Sequence, residues 1–271
     1  MNQRKPLKEL NLLDKFLFDE AMDDPENVKT MLDIILSQNT NLKHPPQTEK
    51  EQRTSTDNRQ IRLDVYAIDE DDVIYEVEAQ KENTHNLPKR SRLYQGIIDS
   101  KLLPPGVVDF NLLNEILIVM ITPFDLFGYG LYRYTFQMRC EEVPELKLDD
   151  GATRIFLNTR GKHPELVSPE LIELLKYMEH STDEVLGACK SKRIHEMHRR
   201  ICQIKASEKT EVKYMQSWEE KILIKQEGER IGLERINRLN QKLIEQGRFD
   251  DLTKATSDSN YQKKLLKEFK I

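Results

Sequence analysis

Cysteine is scarce: only Cys140, Cys189 and Cys202 occur in 271 residues, and they are widely spaced. That argues against a disulfide framework and for a reducing, cytosolic setting. No run of about 18 apolar residues exists, so a transmembrane helix is not expected. The opening Met1-Asn-Gln-Arg-Lys-Pro-Leu-Lys-Glu-Leu10 lacks the apolar stretch of a signal peptide, and a cytoplasmic protein is expected. An excess of positive charge is also missing, because 42 Lys and Arg stand against 47 Asp and Glu, a net charge of −5. A globally basic nucleic-acid binder is thereby disfavoured, although a local basic site remains open. No internal repeat is visible at the periods that mark solenoids or propellers.

What is present changes character near residue 180. Before it, strand and helix periods alternate; after it, charged residues dominate and apolar ones recur at helical spacing. We therefore expect a domain over 1–180 and a helical region over 181–271. Leu12, Leu13, Phe16, Leu17 and then Met31, Leu32, Ile35, Leu36 recur three and four apart, which predicts helix over 11–37. A break at Asp23-Asp24-Pro25 divides it in two, with Pro25 opening the second helix. Residues 38–59 are polar and turn-rich, hence a loop. Ile61–Ile68 and Val73–Gln80 alternate around the acidic turn Asp69-Glu70-Asp71-Asp72, a paired-strand pattern. Pro88 then opens a helix whose Leu93, Ile97 and Ile98 are expected to face the sheet. Ile116–Ile121 reads as a strand buried on both faces. Tyr132, Tyr134, Phe136 and Met138 predict another strand, and Arg154–Asn158 a short one. Ser168 and Pro169 start a helix, and Ser181 with Glu184 has capping-box spacing for the next.

The chemistry lies in the paired strands. Opposite the apolar side chains of Leu63, Val65, Val77 and Ala79 stand Asp64, Glu76, Glu78 and Gln80. Carboxylates crowded on one face are costly if buried uncompensated, and a hard divalent cation offsets that repulsion. Pairing Ile68 with Ile74 sets Tyr66 against Glu76 and Asp64 against Glu78, since opposed residues share a face. The shifted register, Asp64 against Glu76, places Ile68 on Asp72 and matches less well. Asp64 and Glu78 are thus the preferred metal pair, with Glu76 more economically a strand-surface carboxylate. Alternating acids are equally what a solvated sheet face displays.

Arg62-Leu63-Asp64-Val65, the acidic turn and Tyr75-Glu76-Val77-Glu78-Ala79-Gln80 resemble the D…ExQ form of the PD-(D/E)XK nuclease motif. Leu87-Pro88-Lys89-Arg90-Ser91-Arg92-Leu93-Tyr94-Gln95, Pro123-Phe124-Asp125-Leu126-Phe127-Gly128, Phe156-Leu157-Asn158-Thr159 and the opening Asn11–Phe18 helix extend the likeness over nearly the whole chain. Together they resemble the transposase-like PD-(D/E)XK family related to the recombination-promoting nucleases (Rpn proteins). The resemblance implies an α/β fold, a mixed sheet flanked by helices, followed by an all-helical C-terminal region. It implies metal-dependent DNA cleavage, with Asp64, Glu78 and the backbone carbonyl of Ala79 as ligands of Mg²⁺, for which Mn²⁺ can substitute. Gln80 stands where the motif usually has Lys. An amide orients water or phosphate by hydrogen bonds but supplies no positive charge. Asp14 and Asp19 on the first helix are candidate outer ligands or orienting groups, and Gln95 a candidate supporting residue.

Lys89, Arg90 and Arg92 follow the acidic face closely and are candidates for neutralising DNA phosphates. A second basic cluster, Lys190, Lys192, Arg193, Arg199, Arg200 and Lys205, reads either as a DNA-contacting face or as solvated helix. Cys189, His195, His198 and Cys202 match no common zinc spacing. In the tail, Ile224, Ile231, Ile236, Leu239 and Leu243 form a narrow stripe suited to helix pairing and self-association, weakened by Gly228 and Gly232. Three functions follow: a DNA endonuclease linked to recombination or mobile elements, an inactive nuclease fold used for DNA binding or assembly, and a coiled-coil adaptor.

Overall fold

The computed structural model describes residues 4–52 and 61–271. The helical periods near the start resolve into α1 (Lys15–Met22) and α2 (Pro25–Leu36). Asp24 ends the break by accepting the Glu26 N–H, with Pro25 in the first turn of α2. The helices bury Leu17, Phe18, Val28, Met31, Leu32 and Ile35. Residues 38–52 contain a strand where a loop was expected: β1 (Gln47–Gln52), built from Gln-Thr-Glu-Lys-Glu-Gln. Its polar composition is that of an edge strand, so hydrophobicity gives no sign of it. The rest of the expected loop, 53–59, lies outside the described residues.

β2 (Ile61–Ile68) and β3 (Ile74–Ala79) form the expected antiparallel pair. Ile68 pairs with Ile74, Tyr66 with Glu76, and Val65 with Val77, the register preferred from sequence. One step onward it carries Asp64 toward Glu78. α3 (Leu87–Asp99) crosses to β4 (Ile116–Thr122), which lies parallel to β3. β5 (Arg133–Phe136) and β6 (Ala152–Asn158) complete a six-stranded mixed sheet in the order β1-β2-β3-β4-β6-β5. β5 stops before Met138, which is exposed rather than part of the strand. Parallel pairing on both sides explains the unbroken apolar run of β4.

α3 packs over one sheet face through Leu87, Tyr94, Ile97 and Ile98, meeting Ile116, Ile118, Met120 and Phe156. Leu93, expected to join them, is 41% exposed; Tyr94 takes the inward position. α4 (Pro169–Glu179), α5 (Asp183–Gly187) and α6 (Lys192–Lys205) follow. Ser168 caps α4 as expected, but α5 is capped by Thr182, which accepts the Val185 N–H. Ser181 instead accepts the Leu12 N–H and donates to the Tyr177 carbonyl, anchoring the chain start.

The chain divides into two compact units, 1–210 and 211–271. The division comes later than the change in composition near residue 180, because α6 is amphipathic. It buries Ile194, Met197 and Ile201 and packs on α1 and α2. α7 (Glu208–Glu245), α8 (Phe249–Ser257) and α9 (Ser259–Glu268) follow. In the second unit Leu239 and Leu243 of α7 pack on Ala255 and Leu265, while Ile224 and Ile231 stay exposed. Gly247, in the left-handed region at φ 68°, reverses the chain after α7. No helix among the described residues is long and apolar enough to cross a membrane.

Candidate functional site

Strand alternation sends Asp64, Glu76 and Glu78 to one face, and that face is not solvated. Their exposures are 4%, 0% and 1%. Asp64 and Glu78 line a cleft of about 610 Å³ together with Ala79, Gln80, Lys15, Lys89, Arg90 and Tyr94. Glu76, expected as a surface carboxylate, lies fully buried on the same strand face.

Each cleft carboxylate is met by a cation from a helix. Lys15 of α1 reaches Asp64 Oδ1 at 2.5 Å. Arg90 of α3 pairs with Glu78 Oε1 and donates at 2.8 Å to Gln80 Oε1. Its third arm, Nε, donates to the Tyr94 hydroxyl at 2.7 Å. Tyr94 is thus both a core residue and the support that aims Arg90. The compensation is incomplete: Glu78 Oε2 and both oxygens of Glu76 are buried without a hydrogen-bond partner. Orphaned buried oxygens are rare and costly. Burial above all, and then the neighbouring Asp64 charge, pushes the Glu76 carboxyl well above its ordinary range, against a smaller opposing effect of Arg90.

A second carboxylate group gathers around the Lys15 ammonium. Asp19 lies 3.2 Å from it, one helical turn along α1, and Glu49 of β1 lies at 3.4 Å. Glu49 sits between Thr48 and Lys50, which pair with Val65 and Leu63, so it stands across from Asp64. It holds φ 47°, a left-handed conformation that is uncommon for glutamate. Burial pushes Asp19 up to about 8; Lys15 opposes this, and the charges of Asp64 and Glu49 add to it.

Several expected residues have other employment. Asp14 accepts from the Asn11 N–H at 2.9 Å and from Lys81 at 2.5 Å. Burial raises its carboxyl, but these two contacts and Lys5 outweigh it and hold Asp14 below its usual range. Gln95 accepts from Arg154 on β6. Among the described residues, Asp14, Arg92 and Gln95 do not line the cleft, whereas Lys89 and Arg90 do. In the second basic cluster, Arg193 pairs with Glu170, Arg200 donates to Asn27, and Lys205 donates to the Ser181 carbonyl. Those three hold helices together.

Asp125, in the Pro123–Gly128 segment, is also a structural residue. Its carboxylate accepts from the N–H groups of Phe127, Gly128 and Gly130 and from the Tyr134 hydroxyl. Partial burial raises it, but these four donors hold it below its ordinary range.

Lys15 and Glu49 had no signal in the sequence. Lys15 meets Asp64 across 49 positions, and Glu49 lies in a segment with no apolar alternation. Asp19 was legible only as an acid on the first helix. No protein-family model matches this chain, and no curated protein matches its sequence.

Proposed function

We propose that this protein is a divalent-metal-dependent DNA endonuclease of transposase-like type, acting in recombination or mobile-element movement. The observation that carries the reading is the orphaned oxygen Glu78 Oε2, beside Asp64, at a cleft edged by Lys89 and Arg90. Hard oxygens buried without donors fit a hard cation. Asp64 and Glu78 are the residues that would hold Mg²⁺ or Mn²⁺, with the Ala79 carbonyl as a further ligand. Bound there, the ion supplies a water of lowered pKa and charge stabilisation for a phosphate under attack.

The chain's own side chains do the rest. Lys15 and Arg90 neutralise Asp64 and Glu78 before substrate arrives, which limits the cost of burying them. Arg90, held by Tyr94, brings to Gln80 the positive charge that the amide itself lacks. Lys89, exposed at the cleft edge, is placed for backbone phosphate. The mixed sheet flanked by helices accords with the fold that the motif resemblance implies. The exposed part of the α7 stripe, Ile224 and Ile231, supports self-association through the tail.

A second reading rests on the same ion pairs. If Lys15 and Arg90 occupy the carboxylates permanently, the cleft is an inactive nuclease site that binds DNA or supports assembly. Plasmid cleavage in Mg²⁺, Mn²⁺ and EDTA separates the two. Metal-dependent nicking that is lost in Asp64→Ala and Glu78→Ala supports the nuclease. Metal-independent DNA retention without nicking, unchanged in both variants, supports the inactive fold.

A further inference from the structure

Away from the cleft, α5 and α6 bring together three side chains of unlike chemistry. His198 and Cys202 are four residues apart on α6 and share a face; Asp183 opens α5. His198 Nε2 lies 2.9 Å from Asp183 Oδ1 and 3.1 Å from Cys202 Sγ. The three ligand atoms all lie within 4.8 Å of one another. The imidazole is buried while Asp183 and Cys202 are exposed, so the cluster opens to solvent on one side. On the other, His198 Nδ1 lies 2.9 Å from the hydroxyl of buried Tyr177.

Two chemistries use such groups. A thiol nucleophile needs one imidazole nitrogen on the sulfur and an orienting acceptor on the other. Here the Tyr177 hydroxyl faces Nδ1, but the carboxylate of Asp183 shares Nε2 with the sulfur, so the nitrogen that would take the thiol's proton is not the thiol's alone. Convergence on one nitrogen is instead what a shared cation requires. Imidazole, thiolate and carboxylate are the donors Zn²⁺ takes, whereas Mg²⁺ takes oxygen. One thiolate, one carboxylate and a neutral imidazole balance a divalent charge. Tyr177 completes the arrangement, because a hydroxyl can accept the Nδ1–H and so leave the Nε2 lone pair for the ion.

We propose that Asp183, His198 and Cys202 form a zinc-class site, binding one borderline divalent cation through three side chains with a fourth position open to solvent. On binding, the Cys202 S–H bond breaks, its proton leaves to water, and the thiolate sulfur bonds the ion. The site ties α5, which buries none of its own residues, to α6. Cys189 and His195 take no part: Cys189 Sγ contacts Glu173, and His195 contacts the Cys189 carbonyl.

Titrating the full-length, metal-stripped protein with Co²⁺ tests this. The expected result is a thiolate-to-cobalt charge-transfer band that saturates at one equivalent of thiolate-bound Co²⁺ per chain, that Zn²⁺ removes and that Mg²⁺ leaves, any Co²⁺ taken up by the carboxylate cleft giving no such band. Cys202→Ser abolishes the band and Asp183→Asn weakens binding; both positions are exposed, so folding is preserved. Cys140→Ser, Cys189→Ser and Asp64→Ala keep the band. Tyr177→Phe lowers affinity about tenfold or more. A wild-type protein without the band, or a band that survives Cys202→Ser, overturns the proposal.

Discussion

Glu78 near the end of β3 and Asp125 just beyond the end of the parallel β4 are both acids at strand ends, yet they are compensated by different means. Asp125 is surrounded by donors of its own loop: three backbone N–H groups and the Tyr134 hydroxyl. Backbone donors cannot leave without unmaking the loop. Glu78, with Asp64 beside it, is met by the tips of long side chains, Arg90 and Lys15, and keeps an orphaned oxygen. Long cations can withdraw without unfolding anything. A carboxylate saturated by fixed donors maintains shape, and one held by removable charges can exchange them for a ligand. Both acids occur in segments singled out from the sequence, so that reading alone does not separate the two roles.

The largest contrast is expected in metal-dependent behaviour. Asp64→Ala and Glu78→Ala should each reduce plasmid nicking by more than the roughly 100-fold that changes behind a metal ligand cost. They should also remove the rise in melting temperature caused by Mn²⁺. Asp125→Ala should keep that rise. If Asp125→Ala abolished it while the protein remained folded, the division between the two acids would be wrong.

The next effect is on stability and has the opposite distribution. Asp125→Ala leaves its loop donors unpaired and should cost about 1.5–3 kcal/mol in denaturant unfolding, the range for hydrogen bonds to a charged group. The sign with pH follows from a folded-state pKa below the ordinary one. The stabilisation is complete above the unfolded value of about 3.9 and is lost as pH falls through the folded one. The gap between wild type and Asp125→Asn should therefore close in acid. A gap independent of pH would show that the loop does not depend on the charge.

Glu76 should behave in reverse. Burial raises its carboxyl, so the folded chain retains a proton that the unfolded chain releases above about 4.3. Its contribution is present below that value and declines as pH rises toward the folded pKa, by about 1.4 kcal/mol per pH unit. Glu76→Gln removes the titration, so in EDTA the variant should gain on wild type as pH rises above about 4.3, until the folded pKa is passed. Parallel stability curves for the two proteins would count against a protonated Glu76.

These contrasts show what the sequence could carry. Register was legible because Ile68 and Ile74 bracket a short turn, and with it the common face of Asp64, Glu76 and Glu78. The burial of that face was not legible, because alternating acids look the same on a wet sheet and under α3. Lys15 and Glu49 were invisible for a topological reason: α1 and the polar edge strand β1 meet Asp64 only after the sheet forms. His198 and Cys202 were readable as one helix face, but Asp183, the third member of their cluster, comes from a separate helix. The C-terminal stripe was read as continuous, yet Leu239 and Leu243 are covered by α8 and α9 while Ile224 is not. Periodicity reports which face is apolar and is silent on what covers it.

The smallest effect should come from ion pairs that resemble the cleft pairs only in formal charge. Arg230 on α7 contacts Glu227 and Glu234 at helical spacing, with all three side chains more than half exposed. Water already solvates each of these groups, so removing one leaves nothing buried and unpaired. Arg230→Gln should therefore leave the thermal midpoint followed by circular dichroism within error of wild type, and added salt should not separate the two proteins. In the cleft the same kind of deletion, Lys15→Met, leaves Asp64 buried beside Asp19 without its ammonium, and should destabilise the metal-free protein until a divalent ion is added. If Arg230→Gln proved as damaging as Lys15→Met, burial would not be what distinguishes the carboxylates of the cleft from those of the tail.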